Sequence, residues 1–193
     1  EIDFSKGNLD NVYGIIYKAN EASFLGGYLA AKLSQTGVIS FLGGMDIPVI
    51  SDFLVGYIQG AQLANPDVKV AITYAGSWSD SAKGKELALT MFNNQNADVI
   101  FNVAGGTGIG GIEASVETGK WSLGVDSDQA MIYDAAGKTD FANAIVSSVL
   151  KNVDYSLYRA ISLHREGKLA VGTNEPLGIV EGGVGLADNK YFQ

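Results

Sequence analysis

Apolar and polar positions alternate in blocks along the chain. Asn11–Lys18 (NVYGIIYK) is apolar and β-rich and predicts a strand. Asn20 to Ser23 then opens a helical pattern, with Asn20 as its expected N-cap and Glu21 in its first turn. Phe24, Leu25, Tyr28, Leu29 and Leu33 recur at three- and four-residue steps, and Thr36-Gly37 stops the helix. The same alternation continues downstream: strand Val38–Leu42, helix Asp52–Ala64, strand Val68–Tyr74, helix Ala82–Asn94, strand Asp98–Ala104, helix Gly110–Thr118, strand Trp121–Val125. The strands are near-continuous apolar runs, so they are expected to be buried on both faces. Short strand–helix spacing with such strands predicts an α/β fold, an open doubly wound parallel sheet with helices on both sides. Beyond Asp140 the pattern changes. Phe141–Ser148 predicts a strand, Asn152–Gly167 a helix, and Gly172–Gly185 short apolar pieces broken by Gly182-Gly183.

Composition narrows the chemistry. Hydrophobic residues are 47% and charged residues 18% of 193, a globular mix. The formal net charge of -8 argues against a nucleic-acid partner, which needs a basic face. There is no cysteine, which excludes thiolate nucleophiles and disulfides. The one histidine, His164, lies late in the last helix beside Arg165 and reads as a solvated helix face. No apolar run approaches the ~20 residues of a membrane span. Glycine is in excess, 25 residues, or about 13% against a usual 7%.

In a parallel sheet the ligand sits outside the carboxyl ends of the strands. The segments there are Gly43–Pro48, Ala75–Asp80, Ala104–Gly111 and Asp126–Gln129, and three of the four are glycine-rich. Glycine lets backbone N–H groups approach a ligand, although tight βα turns need it as well. Gly106-x-Gly108-x-x-Gly111 also matches the dinucleotide-binding pattern, with Asp126 about 20 residues on. A nicotinamide-dependent oxidoreductase using the Gly106–Gly111 loop is therefore one reading. Asp126, at a strand end, can accept hydrogen bonds from two vicinal sugar hydroxyls, or cap the next helix. Asp128 is expected to be the capping or structural member of that pair. Trp78 offers a stacking platform for a base or sugar, or a hydrophobic cover over the sheet end. Asp80 is expected to cap the helix that follows it. Lys151 follows a strand and can reach the same cleft. Phe53 fits the helix core as well as a cleft wall.

The ordered set GGMDIPVI, NPDVKV…YAGSWSDSAKGKELA, ADVIF…AGGTG, GVDSDQ and EGGVGLA resembles the basic membrane protein family. That family includes bacterial purine-nucleoside receptors, lipoproteins that feed ABC transporters. The resemblance runs from Tyr13 to Ala187. It implies a type I periplasmic-binding-protein fold, two α/β lobes joined by three crossovers, of which this chain is mainly one lobe. Family members are longer, so the resemblance implies that this is the C-terminal portion. On that reading residues 1–20 are a remnant of the first lobe and a crossover strand, and 21–140 the second, ligand-binding lobe. A crossover strand over 141–151, a helix over 152–167 returning to the first lobe, and a final crossover and tail over 168–193 follow. Hinges are expected near Lys18–Glu21, Asp140–Lys151 and Gly167–Gly172.

The resemblance also assigns ligand contacts. Trp78 stands where the motif more usually has phenylalanine and would stack on the ligand. Gly105 and Gly106 would supply backbone near the sugar or base, Asp126 would bind ribose hydroxyls, Lys151 would reach the ribose side, and Asp46 would lie on the cleft rim. It implies a substrate-binding component that captures a nucleoside, partners an ABC permease, needs no cofactor and does no chemistry. The membrane would be reached only through a lipid anchor outside this chain, placing the protein outside the cytoplasm. A sugar-sensing effector domain of a transcription regulator is a further reading, disfavoured because the chain has no basic DNA-binding segment.

Overall fold

A computed structural model describes residues 9–191. The expected first-lobe remnant over 1–20 is thus seen only from residue 9 onward. Six strands form the main sheet in the order β3-β2-β4-β5-β6-β8. They are β2 (Val38–Gly43), β3 (Lys69–Tyr74), β4 (Val99–Val103), β5 (Trp121–Asp126), β6 (Ile145–Lys151) and β8 (Val184–Leu186). All neighbours are parallel except β6 and β8. After β3 the chain returns to the far side of β2 to form β4, so the sheet is doubly wound with its switch point between β2 and β4.

Alternate strand residues face opposite helix layers. Ile39 and Phe41 of β2 with Val99 and Phe101 of β4 meet α1 (Ala19–Leu33) and α2 (Pro48–Ala64). Leu42 and Ile100 meet α3 (Ser81–Gln95), with Ala114 of α4 (Thr107–Thr118) in the same cluster. A smaller cluster joins Ile112 and Ile145 to Ala130 of α5 (Gln129–Ala135). Phe41, Phe53, Tyr57 and Phe101 interlock at the centre of the first layer, with ring centroids 5.2 to 6.2 Å apart. Burial fixes Phe53 as core.

Several glycines serve these layers rather than the loops. A β-carbon on Gly27 would collide with the Tyr57 carbonyl, and one on Gly60 with that of Phe24, so α1 and α2 cross backbone to backbone. Gly84 against Thr107 and Gly110 against Ser81 do the same for α3 and α4. The excess of glycine is therefore shared between loops and helix crossings.

The element boundaries differ from expectation in four places, each with a physical cause. Asn20 lies inside α1; Lys18 occupies the N-cap position and no side chain caps that end. α2 starts four residues early because Pro48, whose fixed φ suits the first helical turn, opens it. α4 starts at Thr107, so most of the glycine-rich stretch is helix. Phe141–Ala144 belongs to α6 (Thr139–Ala144), where Phe141 packs in the third cluster, and the strand begins only at Ile145.

A second, two-stranded parallel sheet pairs β1 (Gly14–Tyr17) with β7 (Asn174–Leu177). Beside it runs α7 (Val153–Arg165), joined to β7 by a bidentate pair. Arg159 Nη2 and Nε donate to Glu175 at 2.6 and 3.2 Å, and the Tyr13 hydroxyl donates to the same carboxylate. The chain passes between the two sheets at Tyr17–Ala19, Lys151–Val153 and Leu177–Val184. Those passages are tied to one another. Lys18 N–H donates to Leu177 O (3.0 Å), Asn152 N–H to Gly183 O (2.9 Å), and Ile179 N–H to the Glu21 carboxylate (2.8 Å). The hinge expected at Gly167–Gly172 is misplaced: that segment joins α7 to β7 on one side, and the third passage is Leu177–Val184.

Candidate functional site at the carboxyl ends of the strands

Three loops meet over the switch point. Gly44 N–H donates to Val103 O at 2.9 Å, linking the loop after β2 to the end of β4. Ser77 N–H donates to Gly44 O at 3.1 Å, which draws the loop after β3 across β2. The buried hydroxyl of Thr107 then fastens it, donating to Ser77 O (3.1 Å) and accepting from Asp80 N–H (2.9 Å). Asp80 in turn accepts from Lys83 N–H at 2.9 Å and caps α3, as expected.

These bonds set Trp78 on a bare backbone. A β-carbon on Gly44 would collide with the six-membered part of the indole, and one on Gly105 would lie 3.7 Å from it. The residue remains 43% exposed, so the ring is supported from below and open to solvent. Gly105 has φ +55 and is exposed; Gly106 is half-buried at the N-cap of α4, close to the Trp78 carbonyl. Asp46 lies exposed in the loop after β2. Burial, and secondarily the charge of Asp46, raise the pKa of the Tyr74 hydroxyl. Trp78, Gly105, Gly106 and Asp46 thus belong to one loop cluster.

A charged pair lies on the next strands. Asp126 ends β5 and Lys151 ends β6, with Lys151 Nζ 3.6 Å from Asp126 Oδ1. The carboxylate is 59% exposed and the lysine side chain 15%. The ammonium lies 5.0 Å from the Phe53 ring and 6.0 Å from that of Tyr17, two aromatic faces that suit a cation. Strands ~4.8 Å apart put the loop after β4 within about 10 Å of Lys151. The arrangement is an aromatic plate at one end and a carboxylate beside an ammonium at the other. Such a pair can both accept from and donate to vicinal hydroxyls.

Asp128, not Asp126, caps α5, accepting from Met131 N–H at 3.2 Å, and is further held by Asn189. Asp126 is thereby left without a capping duty. The dinucleotide-like glycines have packing roles. Gly108 sits against the Asn102 β-carbon, and a side chain on Gly111 would strike the Asn102 amide. Residue-level reasoning missed Tyr17 as part of the lysine's surroundings, since its strand lies in the other sheet. It also gave no role to Gln129, although GVDSDQ contains it. His164 is exposed on α7, away from these loops. Among the described residues, no cluster of three His, Asp or Glu side chains could hold a metal, and no helix is long and apolar enough to cross a membrane.

Residues 2–193 match the family described as ABC transporter substrate-binding protein PnrA-like. Over 186 residues the chain is 36% identical to basic membrane protein A of Borreliella burgdorferi, covering 93% of this chain and 51% of the relative. It is 37% identical to the ABC transporter nucleoside-binding protein BmpA of Lactococcus lactis, covering 91% and 52%. An ABC transporter solute-binding protein from Aeropyrum pernix superposes with a TM-score of 0.79 at 33% identity, covering 94% of this chain and 51% of that one. The chain thus spans about half the length of these relatives.

Proposed function

The chain belongs to the PnrA-like family of ABC transporter substrate-binding proteins, and from that premise we propose that it carries half of a nucleoside-binding cleft. The observation that carries this reading is that Trp78, seated on Gly44 and Gly105, and the Asp126–Lys151 pair stand on loops and strand ends at the same carboxyl end of the sheet. A purine would stack on Trp78, its ribose hydroxyls would bond Asp126 and Lys151, and backbone at Gly105 and Gly106 would line the space between. Such contacts select a molecule with a flat ring at one end and a vicinal diol at the other. The name of the Lactococcus lactis relative supports a nucleoside as that molecule.

On this reading the protein binds and releases without chemistry and hands its ligand to a membrane permease from outside the cytoplasm, held by a lipid anchor. A second lobe would cover the exposed side of Trp78 and Asp126. The three tied passages, Tyr17–Ala19, Lys151–Val153 and Leu177–Val184, would act as the hinge, and ligand would favour closure through contacts made better when closed.

The test is calorimetric titration of the full-length polypeptide with guanosine and inosine. Asp126→Ala is expected to weaken binding by about 1–3 kcal/mol, through lost hydrogen bonds to a charged acceptor, and to leave the fold intact. Unchanged affinity in that variant would remove Asp126 from the site. Absence of any nucleoside binding by the parent protein would end the reading altogether.

A further inference from the structure

Asp126 has φ +66, in the left-handed region that disfavours residues with a β-carbon. Among the described residues one other non-glycine does this, Asn96, which forms the C-cap of α3. Asp126 caps nothing and ends a strand. A strained backbone persists only where its surroundings over-determine it, and such positions cluster at functional sites.

The surroundings here are specific. Gln129 folds its side chain back so that Oε1 accepts from Val125 N–H at 3.1 Å. Its own N–H donates to the buried hydroxyl of Ser148 on β6 at 3.1 Å. Ser127 N–H closes the turn on Val125 O at 2.8 Å. All of this requires Gly124, because a β-carbon there would lie 2.6 Å from Gln129 Oε1 and collide with the Ser148 hydroxyl. Meanwhile Gly124, Val125 and Asp126 stay in register with Ser148, Val149 and Leu150. The peptide on either side of Asp126 is therefore held, and the carboxylate stands 3.6 Å from Lys151 Nζ.

We propose that Gln129, anchored by Ser148 over Gly124, is a positioning residue that holds the strained turn and aims the Asp126 carboxylate into the cleft. The proposal rests on Asp126 being a ligand contact. Without the amide oxygen of Gln129 the turn loses its anchor at Val125, Asp126 relaxes toward extended backbone, and its β-carbon swings away from Lys151.

Two measurements on the full-length polypeptide test this, one without ligand. Glycine adopts φ +66 freely and alanine only with modest strain, so Asp126→Gly is expected to melt about 2–4 °C above Asp126→Ala. Adding Gln129→Met to both is expected to close that gap, because the turn is no longer left-handed. In titrations with guanosine and inosine, Gln129→Met is expected to weaken binding about tenfold, a coupling usual within one hydrogen-bond network. In an Asp126→Ala background it should cost nothing more. A melting gap that persists with Gln129→Met, or an equal loss of affinity in both backgrounds, overturns the positioning role. If Asp126→Ala binds as tightly as the parent, the ligand-contact reading fails and the aiming role with it. The melting comparison still decides whether Gln129 sets the turn. Should Gln129→Met not fold, Ser148→Ala, which removes the anchor from Gln129 N–H, carries both comparisons.

Discussion

Trp78 and the Arg159–Glu175 pair are single residues asked to do different things. Trp78 rests on Gly44 and Gly105 and keeps its outer side open. Base–aromatic stacking is worth ~1–3 kcal/mol on truncation to alanine. Trp78→Ala is therefore expected to weaken guanosine binding by that amount with no loss of cooperativity in unfolding, checked by calorimetry and urea denaturation. Gly44→Ala should act in the same direction by lifting the ring off its support. Glu175 answers to pH instead. Hydrogen bonding from Arg159 holds its carboxyl below the ordinary value of 4.5, and burial together with that carboxylate pushes the Tyr13 hydroxyl up to about 12. A depressed carboxyl contributes stability above its unfolded value and loses it as pH falls through its folded one. Stability of the parent is thus expected to drop on acidification below about pH 4.5 more steeply than that of Glu175→Gln, read from melting temperature against pH.

At the scale of the element, helix crossings carry as much information as the core. Gly60→Ala raises intrinsic helix propensity by up to ~1 kcal/mol yet drives a β-carbon into the Phe24 carbonyl. Overpacking of this kind costs ~1–3 kcal/mol. Net destabilisation in urea unfolding is the expected result, and a gain would mean that α1 and α2 do not cross as described. The same contacts explain what could be read from the chain. The central strands were legible because Ile39, Phe41, Leu42, Val99 and Phe101 are buried and leave near-continuous apolar runs, interrupted only by Ser40 and Asn102. The start of α4 at Thr107 was not, because Gly108 reads as loop until its close packing on Asn102 is visible. α6 was hidden because Phe141 looks like strand, while its burial against Tyr133 is a tertiary fact. The loops at the strand ends were legible by position, since they follow from the order of elements. The anchoring of Asp126 by Gln129 was not, because Ser148 is a strand away and a positive φ leaves no mark on an aspartate.

For the whole molecule, the notable feature is a helix with one working face. α7 buries Ser156 and engages Glu175, while Leu157, Tyr158 and Ile161 are 54%, 70% and 62% exposed and Val153 lies on the same side. An apolar patch of this kind marks a surface that packs on something else. The 193-residue chain by itself is expected to associate as concentration rises, in sedimentation velocity, and Leu157→Lys with Ile161→Lys to restore the monomer. Association unchanged by both would place the sticky surface elsewhere. The three tied passages divide the described residues between a small sheet and a large one, and the proposed nucleoside site lies at the strand ends of the large one. Its most direct test is a crystal structure of the full-length polypeptide grown with guanosine. The purine is expected to lie flat on the Trp78 indole, with the ribose hydroxyls within hydrogen-bond distance of Asp126 and Lys151. Guanosine bound away from these strand ends, or seated there with its ribose turned from Asp126, would contradict it.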